Sequence, residues 1–270
     1  MATVDLSQIR LIRYEHDPYA RDSEEEDEGE DSDFEPELDE VLIKTVDIEI
    51  VSVQAGKRVG KVRFWLAERA EIVEQAGSFV ALLDDHSGEA SDFAATLFTH
   101  RGHIKERIVR EGKGVWGREL NEDDTVAYLQ EIRIDKDFRN QGIGSWALSQ
   151  ILTHSDAYLE GLSPQGAQFI YSLACSLHSE WPRPASYDDP DPYAAEKEAM
   201  TVRIVGFFRR LGYRRVGTTS YFCCARWPTH PSRAVPANED ADEVERAGPF
   251  SEVDPTVVRA MEIFSRQNLV

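Results

Sequence analysis

The chain predicts a mixed α/β (α+β) fold, a central sheet with flanking helices, and three observations carry that prediction. Two alternating apolar–polar segments, 46–52 and 59–66, are joined by a turn at Ala55-Gly56-Lys57. A β-rich segment over 126–134 runs through a short loop into a segment whose apolar residues recur at helical spacing. A later helical stretch ends at Leu211-Gly212 and leads into another β-rich run, 219–225.

In chain order, residues 1–40 come first, with sixteen acids against three arginines. The run from Asp22 to Asp33 is acidic and of low complexity. Its like charges repel and it has almost nothing to bury, so 1–40 reads as a disordered acidic tail. Ser23 and Ser32 stand N-terminal to acids, the context that acid-directed kinases prefer. From residue 41 the pattern turns to strands. Val46, Ile48, Ile50 and Ser52 alternate with Asp47, Glu49 and Val51, and 59–66 alternates again after the turn. Residues 68–110 mix helical stretches with polar loops, and Gly112-Lys113-Gly114-Val115-Trp116-Gly117 makes a turn before the next element.

Downstream of the 126–134 strand, Ile143, Trp146, Ala147, Leu148, Ile151 and Leu152 give a helix one apolar face. Residues 167–174 read as a further strand. The segment 178–193, with Trp181, Pro182, Pro184 and Pro190, reads as an insertion that is either a wall of a binding site or a plain surface loop. Residues 231–270 form a C-terminal extension with a helix over 255–266. Its apolar face (Val257, Val258, Met261, Phe264) docks either on the core or on a second subunit, which would make a homodimer. The enzyme-like domain is therefore 41–230.

The net charge of −20 is unevenly spread. Residues 41–230 hold twenty-six acids and twenty-three basic residues, so the domain is nearly neutral and the ends carry the excess. No basic, aromatic-laced patch suggests direct nucleic-acid binding. No run of eighteen apolar residues and no apolar signal core is present, so no membrane partner is expected, and the setting is cytoplasmic or nuclear. Three cysteines (Cys175, Cys223, Cys224) suggest reduced thiols.

The segment Arg139-Asn140-Gln141-Gly142-Ile143-Gly144 is the most telling one. It has the spacing Arg/Gln-x-x-Gly-x-Gly/Ala and is neither a GxGxxG fingerprint nor a Walker A loop. A strand, a loop and a glycine-bearing turn into a helix collect unpaired backbone N–H groups where the helix dipole favours negative charge. Such a turn can hold a pyrophosphate.

On these residues the chain resembles the GCN5-related N-acetyltransferases (the GNAT superfamily), whose motif A is this strand, loop and helix. The segment Val202 through Gly217, with Phe208-Arg209-Arg210-Leu211-Gly212-Tyr213 at its centre, is similar to motif B of that family. The resemblance covers about 120–228 well, 41–119 loosely and the two ends not at all. It implies a mostly antiparallel sheet of the acyl-CoA N-acyltransferase type, acetyl-CoA as co-substrate, and no metal. It implies that the main chain of Ile132 and Ile134 pairs with pantetheine, and that the amides around Arg139, Gln141, Gly142, Gly144 and Ser145 hold the pyrophosphate. Arg133, Asn140 and Ile143 complete this cofactor segment.

The resemblance also implies transfer of an acetyl group to a primary amine, on a small molecule or a protein, by direct attack on the thioester. Glu131 and Tyr128 are the candidate general bases on the strand. Glu131 reads equally as a sheet-face carboxylate paired with a nearby arginine, and Tyr128 as a packing aromatic. His178 is a third option. Phe208 departs from the family pattern, because many relatives have there a tyrosine that protonates the leaving thiolate. That departure leaves two rival functions open: a non-catalytic acyl-CoA-binding module, and an interaction protein that works through its acidic arm.

Overall fold

A computed structural model describes residues 5–15, 37–159, 167–175 and 194–244. Among the described residues, seven strands form one sheet in the order β1-β2-β3-β4-β5-β7-β6. The strands are β1 (Ile9–Glu15), β2 (Ile43–Ser52), β3 (Lys57–Glu68), β4 (Thr125–Ile134), β5 (Phe169–Leu173), β6 (Arg214–Arg215) and β7 (Tyr221–Ala225). Every neighbouring pair is antiparallel except β4 and β5, which run parallel. The mixed, mostly antiparallel sheet with flanking helices agrees with the predicted class.

The predicted hairpin is β2–β3. Alternation sends Val62, Phe64 and Leu66 to one face of the sheet and Trp65 and Ala67 to the other. The first face is covered by α6 (Ile143–Thr153) and α8 (Ala194–Arg210). The second is covered by α2 (Arg69–Ala76), α3 (Phe79–His86), α4 (Gly88–Leu97) and α5 (Glu106–Arg110). The short helices α1 (Leu38–Leu42), α7 (Ser155–Tyr158) and α9 (Pro231–Ala234) complete the helix set.

Two boundaries differ from the sequence reading. Strand β1 pairs along β2 from Ile9↔Ser52 to Glu15↔Val46, so the sheet begins inside the segment assigned to the acidic tail. Ile9, Leu11 and Arg13 are the more buried residues of β1, and Arg10, Ile12 and Tyr14 the more exposed. Seven residues of ordinary alternation are easily lost beside so strong an acidic run. The run itself lies outside the described residues. At the other end, residues 235–243 are tied to the domain. Arg209 pairs with Asp240 at 2.9 Å, Arg214 donates to the Val235 carbonyl and Arg215 to that of Ala241. The helix expected over 255–266 and the insertion with His178 lie outside the described residues. No helix among the described residues is long and apolar enough to cross a membrane.

Candidate functional site

The centre of the molecule is the place where β4 leaves β5. The two strands pair only over 127–129 and 170–172, while β3 stays paired with β4 down to Ile134. Among the described residues, no strand pairs with the other main-chain edge of 130–134. The β3–β4 register also slips between Arg63 and Phe64, so that Gln130 is an extra residue on β4. Such a bulge bends the strand and re-aims its backbone, and bulges gather next to functional sites. Ser172 Oγ donates to the Leu129 carbonyl at 3.2 Å, the last tie before the strands part.

Beyond β4 the chain makes the glycine turn. Asn140 is left-handed (φ 59°), a conformation that asparagine tolerates better than most residues, and Gly142 is left-handed (φ 81°) as the N-cap of α6. The first helical bond runs from the Trp146 N–H to the Gly142 carbonyl. The N–H groups of Ile143, Gly144 and Ser145 have no intrahelical acceptor, and no side chain caps this helix end. Arg139 is held over the turn by a 2.7 Å bond from its Nε to the Ile134 carbonyl.

The unpaired edge of β4, the turn and α8 enclose a cleft of about 590 Å³. Nine of the ten residues predicted to hold the cofactor line it: Ile132, Arg133, Ile134, Arg139, Asn140, Gly142, Ile143, Gly144 and Ser145. Gln141 does not; its side chain folds back to the Asp137 carbonyl at 3.1 Å. The charged residues of the lining are Arg133, Arg139 and Arg210, with no carboxylate among them. In a chain of net charge −20, a lining whose charged residues are three arginines is a local departure from the overall acidity. The rest of the lining is largely apolar, with Leu129, Leu173, Met200, Ile204, Phe207 and Phe208. Sequence reasoning missed this apolar wall and Arg210. The regular i, i+3/i+4 spacing of Met200, Ile204, Phe207 and Phe208 was the available signal.

Phe208 packs edge-on against Tyr213 and Phe207, and it brings no hydroxyl to the cleft. Gly212 has the left-handed conformation (φ 91°) expected after α8.

The two candidate bases stand elsewhere. Glu131 pairs with Lys61 at 2.5 Å and does not line the cleft. It belongs to a charged ladder on the opposite face, beside the Arg63–Asp47 pair at 2.7 Å. Tyr128 is fully buried on that same face, stacked on Trp65 at 4.7 Å, and its hydroxyl donates to Glu89 Oε1 at 2.7 Å. Burial first, and then the Glu89 charge, push the Tyr128 phenol well above its ordinary pKa, so it stays a neutral donor.

Glu89 had no signal in the sequence, and its position follows from Phe93. Phe93 is completely buried on α4 and contacts Trp65, Phe98, Tyr128, Tyr171 and Tyr221. Glu89 lies four residues earlier, on the same helix face, in the first turn where the helix dipole favours a carboxylate. Docking Phe93 thus delivers Glu89 to the Tyr128 hydroxyl.

No protein-family model matches this chain, and no curated protein does either. The site is therefore argued from its own geometry.

A second, larger cleft of about 690 Å³ lies by Leu152, Arg226, Trp227 and Arg233. Its arginines are engaged: Arg226 pairs with Asp156 at 3.3 Å, and Arg233 donates to the Leu211 carbonyl and contacts Cys224 Sγ at 2.7 Å. None of the sequence-predicted cofactor residues lines this second cleft. Cys223 and Cys224 are buried, and burial raises both thiols, Cys224 to about 11, which suits packing rather than nucleophilic attack. Among the described residues no group of three or more His, Cys, Asp or Glu could hold a metal ion.

Proposed function

We propose that the protein is an acetyl-CoA-dependent N-acetyltransferase that moves an acetyl group to a primary amine. The observation that carries this reading is the combination met in one cleft: a helix N-terminus, arginines, a strand edge that its neighbour has left, and apolar side chains from α8. A ligand that matches it has a polyanionic head, a thin arm with amide groups, and a small acyl end. Coenzyme A thioesters have that form, and the resemblance to the GCN5-related N-acetyltransferases points the same way.

In this reading the free N–H groups of Ile143, Gly144 and Ser145 receive the pyrophosphate, with Arg139 beside them. The amides of pantetheine pair with the free edge of 130–134, as an added strand would. The thioester then lies where the Gln130 bulge turns the backbone, and a main-chain N–H there is suited to the developing oxyanion. Holding the thioester beside the amine supplies effective concentration. The amine nitrogen attacks the carbonyl carbon, the C–N bond forms and the C–S bond breaks. Because Phe208 offers no proton and a thiol ionises near pH 8.5, the thiolate takes its proton from the attacking nitrogen.

One observation favours a second reading, a non-catalytic acyl-CoA-binding module: no carboxylate or phenol lines the cleft. Two measurements separate the readings. Calorimetric titration with acetyl-CoA tests binding, and release of free thiol in the presence of a panel of primary amines tests turnover. Binding with turnover supports the transferase. Binding without turnover on any amine leaves the module, and no binding rejects both.

A further inference from the structure

We propose that Ser172, at the fork where β5 leaves β4, is the proton relay of the transfer: its hydroxyl gives its proton to the leaving thiolate and takes one from the attacking nitrogen. This inference rests on the transferase reading and extends it by naming the residue that does what Phe208 cannot.

Four observations place Ser172 there. First, alternation along β5 sends Phe169 and Tyr171 to the sheet face covered by α2 to α5, and Ile170 and Ala174 to the face covered by α6 and α8. Ser172 falls between Ile170 and Ala174 on that second face, and it lines the cleft. Second, Ser172 is the partner of Leu129 in the last β4–β5 pair. It therefore stands one residue before the Gln130 bulge, about 3.3 Å along the strand, which is where the thioester lies in this reading. Third, Ser172 is 2% exposed, yet its hydroxyl has only long contacts, 3.2 Å to the Leu129 carbonyl and 3.4 Å to the Leu173 carbonyl. An O–H···O bond is commonly about 2.7–2.8 Å long, and a single proton cannot serve both carbonyls. The hydroxyl is held weakly and loses little by turning to an ionised acceptor such as a thiolate. Fourth, the other O–H and S–H groups of the lining belong to Ser145 and Cys175. Ser145 is in the first turn of α6, at the anion end, and Cys175 lies beyond the end of β5 with a thiol that is a weak donor.

The step balances on the groups present. The neutral amine nitrogen forms the C–N bond to the thioester carbon, and the adduct carries a positive charge on nitrogen and a negative one on oxygen. The C–S bond then breaks with its electron pair on sulfur. As it does so, the Ser172 hydroxyl gives its proton to sulfur and its oxygen takes the proton from nitrogen. The products are the amide and the free thiol, and Ser172 ends as it began. A direct transfer from nitrogen to sulfur passes through a small strained ring, and one positioned hydroxyl widens that ring. Ser172 gives up only its long bond to the Leu129 carbonyl.

The experiment uses the full chain with acetyl-CoA and the primary amine of the panel that gives the fastest thiol release. Thiol release is followed across pH for wild type, Ser172→Ala and Ser172→Thr, with calorimetric titration of acetyl-CoA alongside. Ser172→Ala lowers kcat by about a hundredfold or more and binds acetyl-CoA as wild type does. Its deficit is largest at low pH and narrows as pH rises through about 8.5, where a thiol ionises and a thiolate leaves without a proton. Ser172→Thr keeps a hydroxyl and recovers most of the loss. Wild-type kcat in Ser172→Ala overturns the relay and leaves the transferase standing. A loss that is equal at every pH, or that goes with weakened acetyl-CoA binding, overturns it too, because Ser172 is then only a tie between β4 and β5. Wild type that binds no acetyl-CoA, or that turns over no amine, rejects the relay together with the transferase reading.

Discussion

Replacing Gly142 and Gly144 by alanine separates the fold of the glycine turn from its use. Gly142 has φ 81°, and a Cβ placed there meets nothing within 4 Å. The cost of Gly142→Ala in the free protein is therefore conformational alone, about 1–2 kcal/mol for a left-handed L-residue. Gly144 lies in the first turn of α6 without a positive φ. Its added Cβ would touch Ile132 Cδ1 and Ile134 Cγ1 at 3.6 Å and Phe207 Cζ at 3.8 Å, all ordinary contacts. Gly144→Ala therefore stabilises the free protein by about 0.5 kcal/mol, from the reduced entropy of the unfolded chain. The two variants move stability in opposite directions and binding in the same one. Each puts a methyl group beside N–H groups that have no other acceptor. Loss of one hydrogen bond to a charged group costs about 1.5–3 kcal/mol, so acetyl-CoA affinity falls by about tenfold or more in both. Urea unfolding and calorimetric titration read the two effects separately. A Gly142→Ala protein as stable as wild type would refute the left-handed cap. Wild-type affinity in both variants would refute the pyrophosphate turn, whatever their stability.

Three further outcomes are expected. Asp123 accepts backbone N–H bonds from Thr125, Gln168 and Phe169, and burial raises its pKa from 3.8 to about 6. A raised carboxylate pKa contributes stability below pH 4 that is lost as pH rises through 6, so the stability of wild type relative to Asp123→Asn falls across that window, by at most about 3 kcal/mol; urea midpoints at pH 4 and pH 7 that differ equally in both proteins would exclude it. Phe93→Ala removes the ring shared by five aromatic neighbours and costs about 3–5 kcal/mol, read by chemical denaturation; a loss below about 1 kcal/mol would show that α4 is held by something else. Arg133→Ala with Arg210→Ala, both exposed at the cleft, weakens acetyl-CoA binding and flattens its dependence on salt, whereas unchanged salt dependence would mean that neither arginine faces the ligand.

The sequence was most informative where a local rule and a tertiary role coincide. Strand β2 alternates because one of its faces is the more buried, and the left-handed positions at Gly142 and Gly212 need residues that tolerate positive φ. The glycine turn was legible because its geometry depends on consecutive residues, with Asn140 and Gly142 at the two left-handed positions. Glu89 was not legible. Its meaning comes from Tyr128, thirty-nine residues away along the chain, and from Phe93, whose aromatic partners are Phe98 just after α4 and one ring each from β3, β4, β5 and β7. Arg214 and Arg215 are both buried and bind carbonyls of the C-terminal segment, which their charge in the sequence does not announce. Long-range pairing of this kind leaves no periodic trace.

The distribution of charge says more about the site than the total does. A chain of net charge −20 would repel a polyanion if its charge were spread evenly, yet the charged residues that line the cleft at the α6 N-terminus are Arg133, Arg139 and Arg210. The opening beside that cleft is set by the strands themselves: β4 and β5 part after three residue pairs, and the bulge at Gln130 follows at once on β4, which re-aims its backbone where the neighbouring strand has left it.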